Sequence, residues 1–255
     1  MMEAAPKLPA AYNLVALESI DSTNAEAKRM AAQGPEKAPD GTVIWAREQT
    51  AGRGRRGREW SSPPGNLYFS LILRPDVTIQ KAAEFSFIAA LSLFDSLGTV
   101  GEPGHQVALK WPNDILLNDR KVAGILLETE TGAGAVPEWI VLGVGINIGV
   151  FPADTEFPAT SFRAEAWGAA EAETLVAFCR HFLLWSDKWL DEGFEPVRKT
   201  WLWRCYGKDK EIEVELENET ITGIFTDLDE DGALLLETAD GVRRITAGDV
   251  FFPKA

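Results

Sequence analysis

Gln49-Thr50-Ala51-Gly52-Arg53-Gly54-Arg55-Arg56-Gly57-Arg58-Glu59-Trp60 is the stretch on which the fold turns. Five Arg and two Glu between Arg47 and Glu59 make a local +3 in a chain of net charge −14, so the remainder carries −17. Glycines let backbone N–H groups approach a phosphate, and guanidinium forks supply bidentate, charge-assisted hydrogen bonds to its oxygens. The loop therefore reads as an anion-binding loop, with nucleotide as the first ligand to consider. Gly52 to Gly57 also satisfies G-x-G-x-x-G and follows the strand-like Thr42–Ala46, which raises a Rossmann dinucleotide fingerprint. That fingerprint must open a helix. Here Trp60-Ser61-Ser62-Pro63-Pro64-Gly65 breaks the chain and a strand, Leu67–Leu73, begins, while Asp76 stands behind Pro75 in a loop. A dinucleotide fold is rejected, and a solvated Arg-rich turn is the bland alternative.

Outward from the loop, strands alternate with a few helices and no regular repeat. Leu14–Ile20 reads as a strand, Thr23-Asn24-Ala25-Glu26 as a capping box opening an alanine-rich helix that Gly34 ends, and Lys81–Leu97 and Glu171–Asp191 as further helices. The last carries Leu175, Phe178, Cys179, Phe182 and Trp189 on one face, a core stripe. Past Cys205 the texture changes. Glu211–Glu217 alternates with period two, and Thr222–Leu228, Ala233–Glu237 and Gly241–Thr246 read as short strands separated by Asp231-Gly232 and Asp240-Gly241 turns. The boundary is placed near Tyr206, giving domains 1–205 and 206–255, with Trp201 and Trp203 expected where they meet. The acidic alternation reads as a solvated strand face.

Composition narrows the classes. At 255 residues and 45% hydrophobic content the chain is long enough for one substantial core and a small second domain. No uninterrupted apolar run reaches the roughly 18 residues of a membrane span, and Met1 to Pro9 lacks an apolar signal core, so a cytoplasmic protein is expected. Cys179 and Cys205 lack CxxC or His spacing and read as buried thiols rather than a disulfide or zinc site. His105 and His181 have no partner signature. The acidic balance disfavours duplex DNA, which needs a basic face.

Three further motifs carry chemistry. Lys110-Trp111-Pro112-Asn113-Asp114 ends one short strand, and Lys121-Val122-Ala123-Gly124 begins another across a turn at Asn118-Asp119. Together these offer a carboxylate beside cations, the set that a magnesium-nucleotide site uses, with Asp114 as the candidate ligand and Lys121 as the charge for a developing phosphate anion. Gly143-Val144-Gly145-Ile146-Asn147 follows an apolar strand, its glycines leaving space for a backbone or a flat ligand. No G-x-S-x-G, HExxH or Cys-His pairing points to a protein nucleophile, so positioning and charge stabilisation must suffice.

In their order and spacing, Ser22-Thr23-Asn24, Gln49 with Gly52–Arg58 and Trp60, Lys110–Asp114, Lys121–Gly124 and Gly143–Asn147 resemble the biotin protein ligases, and the match spans nearly the whole chain. The resemblance implies an α+β fold, a mixed sheet flanked by helices as in class II synthetase-like biotin/lipoate ligase domains, followed by a small SH3-like barrel. It implies ATP-dependent biotinylation of a lysine on a biotin carboxyl carrier protein through biotinyl-5′-adenylate, with Mg²⁺ accompanying ATP. By the same resemblance Ser22, Thr23 and Asn24 surround the ureido ring. Gln49, Gly52, Arg53, Gly54, Arg55, Lys121 and Gly124 complete the biotin site, and Gln49, Arg53 and Lys121 hold the carboxyl end. Arg55, Arg56, Arg58, Trp60, Lys110, Asn113, Lys121 and Asn147 serve the adenylate, Trp60 as an adenine wall, and the Arg loop closes over the intermediate. Lys121, Arg53 and Asp114 are the expected catalytic set. Some members carry an N-terminal winged helix; only about twenty residues precede Ser22, so a ligase without DNA binding is expected. A lipoate or octanoate ligase or transferase and an idle biotin or nucleotide sensor are the alternatives. A homodimer paired through an edge strand such as Val141–Ile146 is a further possibility.

Overall fold

The computed structural model describes residues 6–130 and 136–252. A seven-stranded mixed sheet is built from β1 (Asn13–Ile20), β2 (Thr42–Gln49), β3 (Leu67–Leu73), β4 (Val107–Lys110), β5 (Asp114–Leu117), β6 (Arg120–Thr129) and β7 (Ile140–Ile146). Its order is β1-β2-β3-β7-β6-β5-β4, with β1 and β2 parallel and every other pair antiparallel. β7 is thus central, flanked by β3 and β6, which corrects the expectation that Val141–Ile146 offers a free edge: both of its hydrogen-bonding sides are taken.

The period of two decides which face does what. On β3, Leu67, Phe69, Leu71 and Leu73 enter the main core, whereas Ile72 belongs to a smaller cluster under α1 (Thr23–Ala31) with Ala27, Ala31, Ile44 and Val141. The main-core face is covered by α3 (Glu84–Val100), preceded by the one-turn α2 (Ile79–Ala82), and by α4 (Glu171–Glu192) and α5 (Phe194–Arg204). Phe69 meets Phe178 at 4.8 Å and Phe87 meets Trp201 edge-on at 5.5 Å. The segment Ile79–Val100 is long and apolar enough to cross a membrane by length and composition, but 61% of its apolar window is buried within the protein, as for a core helix.

The first helix starts one residue earlier than its capping box suggests. Ser22 is the N-cap, its hydroxyl accepting from the Ala25 N–H at 3.4 Å, and this frees Thr23 and Asn24 to turn inward from the first helical turn. Helix α5, beyond Gly193, was not read from the sequence.

The C-terminal sheet has the order β11-β10-β9-β8-β12, all antiparallel, from β8 (Glu211–Glu215), β9 (Thr220–Leu228), β10 (Leu234–Thr238), β11 (Gly241–Ile245) and β12 (Asp249–Phe251). On β8 the glutamates are exposed and Ile212 and Val214 buried, so the acidic alternation is a solvated face. The apolar core runs on from the first sheet into this one. Arg198 Nη1 donates to the Leu228 carbonyl at 2.7 Å and the Trp111 indole to that of Gly232 at 3.3 Å. Trp201 is buried at this junction, but Trp203 is 81% exposed: the two lie two residues apart on a helix and face opposite ways, contrary to the expectation for Trp203.

Candidate active site

The site occupies the α1 face of the large sheet, where the strands carry little bulk. Gly124 and Gly145 are paired across β6 and β7, and Gly143 lies two residues along. These glycines seat two side chains of the protein itself. A Cβ on Gly145 would stand 2.4 Å from Trp60 Nε1, and one on Gly143 would stand 2.0 Å from Asn24 Oδ1. Above this floor is a cavity of about 400 Å³.

At one end the first turn of α1 supplies Ser22, Thr23 and Asn24, all buried. Gln49 at the end of β2 accepts from the Thr23 N–H at 2.8 Å and donates to Ser62 Oγ at 2.9 Å. Ser70 Oγ, fully buried on β3, lies 2.8 Å from Thr23 Oγ1 and donates to Asn24 Oδ1 at 2.5 Å. A donor- and acceptor-rich pocket end results, with side chains locked by their neighbours.

At the other end three charges meet. Asp114 Oδ1 is 2.7 Å from Lys121 Nζ and Oδ2 is 3.7 Å from Lys110 Nζ. The hairpin that brings Lys121 back beside Asp114 turns on Asn118 and Asp119, at φ 50° and 62°, as a two-residue turn with both central φ positive requires. Burial alone would raise the Asp114 carboxyl, but Lys121 and Lys110 outweigh it and hold it below the ordinary carboxylate range. Burial lowers Lys110, with Asp114 opposing; its ammonium lies 4.5 Å from the Phe157 ring centroid. Lys121 Nζ also lies 5.4 Å from the Trp60 ring.

The Arg loop spans the opening, pinned by antiparallel backbone pairing of Arg53 with Glu59 and a 3₁₀ turn at Arg55–Gly57. Its cations are not equivalent. Arg55 Nη1 donates to Asn113 Oδ1 at 3.2 Å and to the Gly248 carbonyl at 3.3 Å. Arg56 and Arg58 pair with the Asp249 carboxylate at 3.2 and 2.8 Å, and Arg55 approaches it at 3.9 Å. Arg53 lines the cavity and, among the described residues, has no ion-pair partner.

Of the residues singled out from the sequence, Ser22, Thr23, Asn24, Gln49, Arg53, Gly54, Arg55, Arg58, Trp60, Lys110, Asn113, Asp114, Lys121, Gly124 and Asn147 line this one cavity. Gly52 and Arg56 do not. Gly52 is a packing position, since a Cβ there would stand 2.4 Å from both Ser62 Oγ and the Trp60 carbonyl. Arg56 is drawn outward to Asp249 and the Glu215 carbonyl. Asn147 donates its amide to the Thr160 carbonyl at 3.1 Å, fixing the segment that carries Phe157 and Ala159 over the site.

Asp114 does not fit the role of a metal ligand in this arrangement. It is already the shared counterion of two ammonium groups, which repel a dication, and the described residues contain no group of three metal-binding side chains. Sequence reasoning missed Asp249 and Phe251 of β12 and the wall around Phe157. One carboxylate among 39 acidic residues gives no local signal. His105, which contacts Asn118, and His181, which contacts Thr99, lie outside the site.

Comparisons with known proteins agree on a single family. The model of the "Biotin/lipoate A/B protein ligase family" matches residues 58–203, and that of the "Biotin protein ligase C terminal domain" residues 209–252. A biotin--[acetyl-CoA-carboxylase] ligase of Paracoccus denitrificans is 40% identical over 92% of this chain and 99% of its own length. The bifunctional ligase/repressor BirA of Bacillus subtilis is 33% identical over 93% of this chain and 73% of its own. Among solved structures, the biotin protein ligase of Aquifex aeolicus in complex with biotin and ATP superposes with a TM-score of 0.78 at 27% identity, covering 95% of this chain and 99% of that one. The Leishmania major enzyme in complex with biotinyl-5-AMP gives 0.64 at 27% identity, covering 94% and 100%.

Proposed function

The chain belongs to the biotin protein ligase family, and on that premise we propose that it joins biotin to a lysine of a biotin carboxyl carrier protein at the expense of ATP, through biotinyl-5′-adenylate. The observation that carries the reading is the single cavity whose one end is the polar first turn of α1 and whose other end is the Lys110–Asp114–Lys121 cluster under the Arg loop.

In the first step a biotin carboxylate oxygen attacks the α-phosphorus of ATP, an acyl–phosphate bond forms and pyrophosphate leaves. Both reactants are anions, so the residues must offset their repulsion and align them. Arg53, the loop cation left unpaired among the described residues, and Lys121 are placed to do so at the carboxyl end. Asp114 Oδ1, 2.7 Å away, fixes where the Lys121 ammonium sits. Trp60, flat against Gly124 and Gly145, supplies an aromatic face for the adenine. Mg²⁺ enters this proposal as the counterion that ATP brings; among the described residues no group of three metal-binding side chains accompanies it. In the second step the carrier lysine amine attacks the acyl carbon and AMP leaves. The closed Arg loop shields the anhydride from water until then.

The carrier as the partner, a cytoplasmic location where ATP is supplied, action without DNA and the capacity to dimerise belong to the same proposal. Support for a non-DNA role comes from the acidic charge outside the Arg loop. The test is to incubate the protein with Mg-ATP, a biotin carboxyl carrier domain and either biotin or lipoate, and to read the carrier's intact mass. An ATP-dependent biotinyl increment is expected. A lipoyl increment would replace the substrate assignment, and ligand binding with no increment would make the protein a sensor.

A further inference from the structure

Asn24 carries a donor and an acceptor on one amide, and which of them a ligand meets depends on how the amide is turned. Its oxygen faces Ser70 Oγ at 2.5 Å, and its nitrogen faces Glu128 Oε2 at 2.8 Å. Ser70 alone cannot fix this orientation. A hydroxyl both donates and accepts, and Thr23 Oγ1 at 2.8 Å would take its proton if the amide flipped. The Leu126 carbonyl, 3.4 Å from Asn24 Nδ2, is too long to decide the matter. Glu128 is different, because an ionised carboxylate only accepts. Its other oxygen is held by Lys28 Nζ at 2.7 Å. Burial pushes the Glu128 carboxyl up, but its bonds from Lys28 and Asn24 outweigh this and keep it below its ordinary range, ionised at neutral pH.

We propose that Glu128, held by Lys28, is a positioning residue that locks the Asn24 amide with its oxygen toward the cavity, where the second lone pair accepts an N–H from the ureido ring of biotin. The inference rests on the biotin reading above. Neither Glu128 nor Lys28 belongs to the motifs from which the site was read, and neither lines the cavity. With Glu128 gone, the amide is free to present its NH₂ to the ligand's N–H, donor against donor. Gly143 leaves just enough space for the side chain, so it has no other place to turn.

The test is a cycle between protein and ligand. Equilibrium affinity for biotin, and for the two lactam analogues in which one ureido N–H is replaced by CH₂, is measured by calorimetry on the full chain carrying Glu128→Ala, Glu128→Gln or Lys28→Met. Thermal unfolding and KM for ATP are followed alongside. Glu128→Ala is expected to weaken biotin about tenfold, the size of one lost hydrogen bond of the stronger kind. Glu128→Gln, whose amide can donate as well as accept, should leave most of that loss in place, and Lys28→Met, which keeps the carboxylate, should lose less. For the lactam lacking the relevant N–H, Glu128→Ala and the wild type should bind alike, with ATP KM unmoved. Equal losses for biotin and both lactams, or a Glu128→Ala protein that binds biotin as the wild type does, would overturn the assignment. A wild type that binds no biotin would overturn the ligand reading itself, before any variant is compared.

Discussion

Asp114 is held from two sides by ammonium groups, one of them on the deeply buried Lys110, and removing it would leave those charges facing each other. Asp114→Ala is expected to destabilise the fold by about 3–5 kcal/mol, as for a broken buried pair, measured by urea unfolding. Because the folded carboxyl titrates below its unfolded value, its contribution is fully present above the ordinary carboxylate range and is lost as pH falls through the lower, folded value. The acid limb of stability should therefore lie below the ordinary carboxylate range and retreat to higher pH in Lys121→Met. Lys121→Ala should cost adenylation about 3–4 kcal/mol of transition-state stabilisation, read as pyrophosphate release, with the fold retained. Gly145→Ala puts a methyl where the Trp60 indole lies and should raise KM for ATP while sparing that for biotin. Most of this site was legible in the sequence, because loop glycines and cations in fixed spacing leave few other uses. Asp249 was not, since what distinguishes it is which arginines it meets across the domain junction.

The elements were legible where their period was clean. β3 and β7 read correctly because an apolar run between breakers leaves little choice, but the position of β7 at the centre of the sheet is a matter of partners, which no single segment encodes. Helix α5 escaped because Gly193 and Pro196 punctuate its start, yet Gly193 at φ 78° only turns the corner and Pro196 falls in the first turn, where no intrahelical donor is lost. The Arg loop belongs at this scale too. Its sequence suggests a mobile lid, and the structure stitches three of its arginines to β12 through one carboxylate. Asp249→Ala should release it, seen as faster tryptic cleavage within Arg55–Arg58 in the absence of ligand; an unchanged rate would assign the loop's order to its own hairpin contacts.

Across the whole molecule, the C-terminal sheet shares one apolar core with the first and lends Asp249 and Phe251 to the cavity. The two parts should accordingly unfold in one calorimetric transition rather than two. The change of texture after Cys205 marks a change of architecture but says nothing of this shared core, because the residues that join the two parts are ordinary apolar ones. The Asp249 clasp also alters what kind of event nucleotide binding is. On the proposed reading, a polyphosphate arriving at Arg55, Arg56 and Arg58 would displace a resident carboxylate rather than meet bare cations, an exchange of one anion for another. Fewer solution ions are released than the four arginines of the loop suggest, and ATP affinity should fall only gently with added salt. In Asp249→Asn, with that internal anion removed, the same titration should become steeper.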